Sequence, residues 1–178
     1  MGVEPPMWRW PVRLKVLVLV GLTLYWSTAG FSFTADKRDT LRGLREISVL
    51  IEYLPDDVER EGLNREHLQR DIEARLRQAG LHVLTISEVA NSPGAPYLYV
   101  AVYPITGPSL NVNAYAVALT LKQLVQLSRN PTTELFATTW EGPIHFSSLS
   151  DSRALDIRNR IFDAVGRFIV DYREVNSK

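Results

Sequence analysis

Within residues 113–127, Tyr115, Val117, Leu119 and Leu121 alternate with Ala114, Ala116, Ala118 and Thr120. A period of two sends one set to each face of an extended strand, whereas a helix would scatter both sets around its axis. The Ala, Leu, Gln and Lys content would suit a helix, but the alternation decides for a long strand. That strand has one face of large apolar side chains and one of small ones. The large face needs a covering layer.

The rest of the sequence supplies that layer and further strands. Ile47 to Leu54 is β-branched and apolar and stops at Pro55, giving a first strand with Ile47, Val49 and Ile51 inward. Asn64 is placed to cap a helix, with Leu63 and Leu68 as a hydrophobic staple and Leu68, Ile72, Leu76 and Ala79 as one apolar stripe. Gly80 suits a left-handed helix stop, and residues 81–86 follow as a second strand. Residues 97–103 and 134–140 form a third and a fifth strand, with turn-rich sequence around them. A final helix starts at Asp151-Ser152, with Leu155, Ile157, Ile161, Val165, Phe168, Ile169 and Tyr172 in a broad stripe; Asp171 and Glu174 read as its solvent face.

The order β-α-β-β-β-β-α predicts a two-layer α+β sandwich, a mostly antiparallel sheet of about five strands with two helices on one face. Strands three to five should form an antiparallel meander. Residues 1–29 read as a signal peptide, 30–43 as a flexible lead and 44–175 as a single domain. The apolar run 16–24 follows Arg9, Arg13 and Lys15 and precedes Ser27-Thr28-Ala29, the charged, apolar and small regions of an export signal. Extended to Ala29 it reaches only about 14 residues, short of the roughly 20 that span a hydrocarbon core. An uncleaved anchor would leave the same domain outside, so both readings place it in the periplasm or beyond.

Lys and Arg balance Asp and Glu over the whole chain, and no local basic patch offers a phosphate backbone its counter-charges, so no nucleic-acid partner is expected. Contact with a membrane is expected only through an uncleaved signal. There is no Cys, which excludes disulfides, thiol nucleophiles and zinc-thiolate sites. His67, His82 and His145 lie far apart and lack metal-ligand spacing. Asp56-Asp57 with Glu59 and Glu61 reads as a solvated acidic loop, and the serines of 147–152 beside His145 as a polar lead into a helix. No catalytic residue, metal or cofactor is assigned.

The concentration of unusual side chains is aromatic. If Leu98, Val100 and Val102 face the helices, Tyr97, Tyr99 and Tyr103 point to the opposite face, beside Ala114, Ala116, Ala118, Thr120 and Lys122 of the neighbouring strand. Trp140 is expected to join them. Large amphipathic rings around small residues form a shallow trough of the kind that binding surfaces use. The plainer reading is that these tyrosines cover an open sheet face or pack under the Pro-rich loops.

Residues 70–84 (RDIEARLRQAGLHVL), 96–100 (PYLYV), 117–123 (VALTLKQ) and 168–172 (FIVDY) together resemble a group of uncharacterised exported bacterial proteins. The resemblance covers roughly residues 41–175. In element order the chain is also similar to small periplasmic domains of envelope-assembly accessory lipoproteins, among them the lipopolysaccharide-assembly lipoprotein and the penicillin-binding-protein activators. What this implies is fold and location: a non-catalytic exported accessory or binding domain acting on an envelope protein or component. The lipid-modified Cys of those proteins has no counterpart here. The alternative is a small-ligand carrier or hydrolase acting on an envelope glycan or lipid, with the trough as its pocket and Asp56 or Asp57 as acid/base. Converging charges in a compact cavity would favour that alternative; a flat aromatic face favours the binding domain.

The export signal makes the first testable statement. The intact mass of the exported protein should correspond to a chain beginning at Gly30, and retention of residues 1–29 would replace the cleaved signal by an anchor.

Overall fold

The computed structural model describes residues 36–105, 114–147 and 152–177; the expected signal lies outside them. β1 (Glu46–Tyr53) is followed by a short helix α1 (Asp56–Arg60), the long helix α2 (Arg65–Gln78), β2 (His82–Val83) and a second short helix α3 (Ile86–Val89). β3 (Tyr97–Ile105), β4 (Ala114–Leu127), β5 (Asn130–Glu141) and β6 (His145–Ser147) then lead to the last helix α4 (Arg153–Asn176). No helix among the described residues is long and apolar enough to cross a membrane.

The sheet runs β2-β1-β3-β4-β5, with β6 also on β4. It is mixed, with antiparallel pairing in its larger part and parallel pairing around β1. β1 pairs in parallel with both β2 and β3, while β4 is antiparallel to β3, β5 and β6. The reason is the helical connection: α2 carries the chain back to the starting end of β1, so β2 must run the same way. The meander of β3, β4 and β5 is as expected.

The boundaries of α2 follow from its caps. Asn64 Oδ1 accepts from the His67 N–H at 2.9 Å, and Gly80 at φ +95° closes the other end. There the Gly80 N–H donates to the Arg77 carbonyl and the Leu81 N–H to the Leu76 carbonyl, the paired bonds of a Schellman stop. The second strand is shorter than expected because Thr85 starts α3 with a capping box. Its hydroxyl accepts from the Glu88 N–H, and the Glu88 carboxylate accepts from the Thr85 N–H.

Ile47, Val49 and Ile51 join Leu98, Val100 and Val102 of β3 and the large residues of β4 in one core. The same cluster contains Leu68, Ile72 and Leu76 of α2 and Ile157, Ile161, Val165 and Phe168 of α4. The α4 stripe is displaced at its start: Ala154 is buried and Leu155 is 54% exposed, reversing the expected orientation there. Asp171 is also inside rather than on the solvent face. It is the acceptor for Trp140, whose buried indole N–H donates to Asp171 Oδ2 at 3.0 Å.

The polar lead contributes to this core as well. Lys37–Leu41 is a 3-10 helix with Leu41 fully buried. Asn176 fastens it to the end of α4, accepting from the Gly43 N–H at 2.7 Å and donating to the Leu41 carbonyl at 2.8 Å. From Asp36 onward the expected flexible lead is therefore part of the folded unit.

Ile161 has no solvent exposure. Ile161→Ala should cost about 2–5 kcal/mol by lost transfer energy and a residual cavity, measured as a lower denaturation midpoint. An unchanged midpoint would mean that α4 buries a different stripe.

Candidate functional site

The register of β3 and β4 builds the face that the alternation implied. Tyr97 stands opposite Lys122, Tyr99 opposite Thr120 and Tyr103 opposite Ala116, with Ala101 opposite Ala118 between them. Lys122 reaches diagonally, its Nζ lying 4.0 Å from the centroid of the Tyr99 ring. On the other flank of β4, Phe146 of β6 pairs with Ala116. Tyr103 and Phe146 thus stand on either side of a small residue, at 47% and 63% exposure. Aromatic walls over an alanine floor make a shallow trough.

One end of this face is partly roofed. Leu50, which alternates with the inward Val49 and Ile51, meets Tyr97, Phe136, α3 residues Ile86 and Val89, and the α3 C-cap Ala90 around a largely apolar hollow of about 190 Å³. Tyr97 and Phe136 meet edge to face there, with ring centroids 5.6 Å apart. The tyrosines are therefore not equivalent: Tyr97 helps to hold α3, Tyr99 carries Lys122, and Tyr103 is the most open.

Trp140 is not in the trough. Thr138 pairs with Lys122 and Trp140 with Leu121, so Thr139 is an extra residue in β5. This bulge reverses the alternation. Phe136 and Thr138 stay on the tyrosine side, while Trp140 turns to the core, edge to face against Phe168 with centroids 5.1 Å apart. Phe136 and Phe146 are the face residues that sequence reading missed. Phe136 was legible from strand alternation; the bulge moves Trp140 and leaves Phe136 in place.

The acidic stretch expected as a solvated loop is instead helix α1, and Asp57 and Glu61 are committed to the scaffold. Asp57 accepts a hydrogen bond from the Tyr115 hydroxyl, on the core side of β4, and lies 3.5 Å from Arg153 Nη1. Arg153 also pairs with Glu61. These bonds tie α1 to β4 and to the start of α4. The Tyr115 hydrogen bond chiefly holds the Asp57 carboxyl below the usual carboxylate range, with Arg153 adding to it. Burial, with Asp57 contributing, pushes the Tyr115 phenol up to about 12. Asp57 therefore lies across the sheet from the tyrosine face.

A second hollow, of about 260 Å³, sits between the 3-10 segment and the loop before β3, lined by Arg42, Arg45, Glu46, Ser92 and Gln123 among others. Its charges are largely answered from within the protein: Arg42 binds Asp39 and the Val175 carbonyl, and Glu46 accepts from Ser92. His67 and His82 are exposed, and His145 lies in β6. Among the described residues no group of three or more His, Asp or Glu could hold a metal ion. Residues 148–151 of the serine-rich stretch lie outside the described residues.

No protein-family model matches the chain, and neither does any curated protein. Three bacterial lipoproteins are among its structural neighbours. Rare lipoprotein B from Shewanella oneidensis is 15% identical, with 72% of this chain and 89% of that one covered and a TM-score of 0.25. A lipoprotein from Neisseria meningitidis is 17% identical over 71% of this chain and 99% of that one, at 0.31. A minor lipoprotein from Acinetobacter baumannii is 13% identical over 75% and 89%, at 0.24. Likeness this distant assigns no function.

The Tyr115 bond has a pH signature. Its phenol is raised in the folded state, so its stabilisation is fully present below the ordinary value of about 10 and is lost as pH rises through about 12. Asp57 has the opposite sense: its stabilisation is present above the ordinary carboxylate range and lost on acidification. Tyr115→Phe should cost about 1–2 kcal/mol near neutrality, a bond to a charged acceptor discounted for partial exposure. The gap between wild type and variant should close between about pH 10 and 12. A gap independent of pH over that interval would remove the bond as its source.

Proposed function

We propose that this protein is an exported, non-catalytic binding domain that recognises an envelope protein or component through the tyrosine-bearing face of its sheet. The supporting observation is the row Tyr103, Ala116 and Phe146, in which two exposed rings flank a small residue on a rigid sheet. Rings held by a paired sheet lose little conformational freedom on binding, and such side chains anchor interfaces. The export reading rests on the charged, apolar and small regions of residues 1–29.

The carrier or hydrolase alternative needs charged groups converging on the trough. Lys122 is the charged side chain that stacks on Tyr99 within it, while of the two carboxylates considered as an acid, Asp57 is held by Tyr115 and Arg153 on the other side and Asp56 is exposed at the start of α1. The face reading is the better supported of the two.

Affinity capture from the protein's own envelope supplies the test, with wild type compared against the double variant Tyr99→Ala, Tyr103→Ala. Circular dichroism and melting should stay near wild type, while binding to the captured component weakens by about 1–2 kcal/mol or more. Unchanged binding by a folded double variant would make the tyrosines a cover. Loss of folding would show that they stabilise the sheet itself.

A further inference from the structure

The sheet ends very differently at its two edges. β2 contributes two residues to one edge, whereas β5 forms the other with twelve. The carboxyl end of β5 is covered: Lys37 Nζ donates to the Glu141 carbonyl at 2.7 Å and the Thr40 hydroxyl to the Thr139 carbonyl at 3.0 Å. At its beginning Pro131 has no N–H to offer, and residues 131–133 lie in a second register shift. Between these limits, nothing among the described residues pairs with the outer side of 132–138.

This stretch also extends past the helical layer. Burial alternates along β4 only as far as Leu121, and beyond it both faces of the β4-β5 hairpin are at least partly open. Leu135 and Phe136, which alternate to opposite faces, are 41% and 52% exposed. An extended apolar edge with unpaired backbone groups is a template for another strand.

We propose that this edge pairs antiparallel with the same edge of a second copy of the chain, joining two sheets into one. Self-complementarity argues for that occupant. Glu134 is the sole ionisable residue of 130–140, and a two-fold axis at Phe136 sets it opposite Thr138 of the partner subunit, so no like charges meet. Leu135 then faces Ala137 of the partner subunit, and the two Phe136 rings meet on the axis. The two-residue edge of β2 gives β5 no long strand to meet head to tail, so the assembly closes as a dimer instead of growing. A two-fold perpendicular to the sheet puts both tyrosine faces on the same side. The contact is small, which makes the dimer weak and dependent on concentration.

The pairing stands apart from the proposed function and can fail without it. Because the chain has no Cys, single cysteines at 134, 135, 136, 137 and 138 of the full chain report directly on the register. Residues facing each other across an antiparallel pair lie about 4.5–5.5 Å apart at Cα, within disulfide reach. Mild oxidation should give a product of twice the monomer mass, strongest at Phe136→Cys and falling off to either side. Leu135→Lys combined with Phe136→Cys should abolish it, while Tyr99 and Tyr103 remain intact to report on the face separately. Cross-linking no greater than that of Glu174→Cys, an exposed control on α4, would overturn the proposal, as would adducts with another protein in place of the doubled mass.

Discussion

The hydrogen bond from the Trp140 indole to Asp171 fixes the relation between the last strand of the meander and the last helix. It depends on the bulge at Thr139, without which Trp140 would point to the tyrosine face. A carboxylate inside a core is costly unless its oxygens are answered. Here one oxygen takes the indole N–H, and the other, which has no hydrogen bond, is offset by the ion pair with Arg167 Nε at 3.1 Å. The pair orders α4 against β5, and with α4 in place the large residues of β4 acquire their cover.

Two kinds of interaction hold this fold, and apart from the buried Trp140–Asp171 bond they are used in different places. Aliphatic burial joins α2 and α4 to the sheet over its whole middle. Polar ties are concentrated at the ends of elements, where backbone groups would otherwise lack partners: Asn64 at the start of α2, Thr85 at the start of α3, Asn176 at the end of α4. The Asp57, Tyr115 and Arg153 group belongs to this second kind, despite the residue types it shares with catalytic sites. Its carboxylate is a fastener for α1.

Local pattern was enough for β1, β3, β4 and α2, because each of their signals lies within a few residues: alternation, a cap, a left-handed stop. It also gave the tyrosines their common face, since Tyr97, Tyr99 and Tyr103 share one uninterrupted strand. What it missed depends on more distant partners. A bulge is a difference in residue count between two strands, so Trp140 alone carries no sign of it. Asp171 looks like any helical surface acid until the indole it serves is located 31 positions away. The parallel pairing of β1 with β2 and β3 is likewise a property of the connection. The capping box of Thr85 and Glu88 is different: it was local and readable, and it ends the second strand.

The segment around Leu41 and the last turn of α4 are joined by Asn176, by Arg42 to the Val175 carbonyl, and by Arg38 to Glu174. The closure links positions more than 130 apart in the chain, and synthesis proceeds from the amino end. Leu41, Trp140 and the inner face of β4 therefore all depend on a helix that follows them in the chain. Until it arrives, the β4-β5 hairpin presents its apolar sides with nothing over them. Contacts of such long sequence separation slow folding and prolong exposure to aggregation. Pairing of the amino-terminal segment with the last turn of α4 therefore also decides how long the apolar sides of the β4-β5 hairpin stay uncovered.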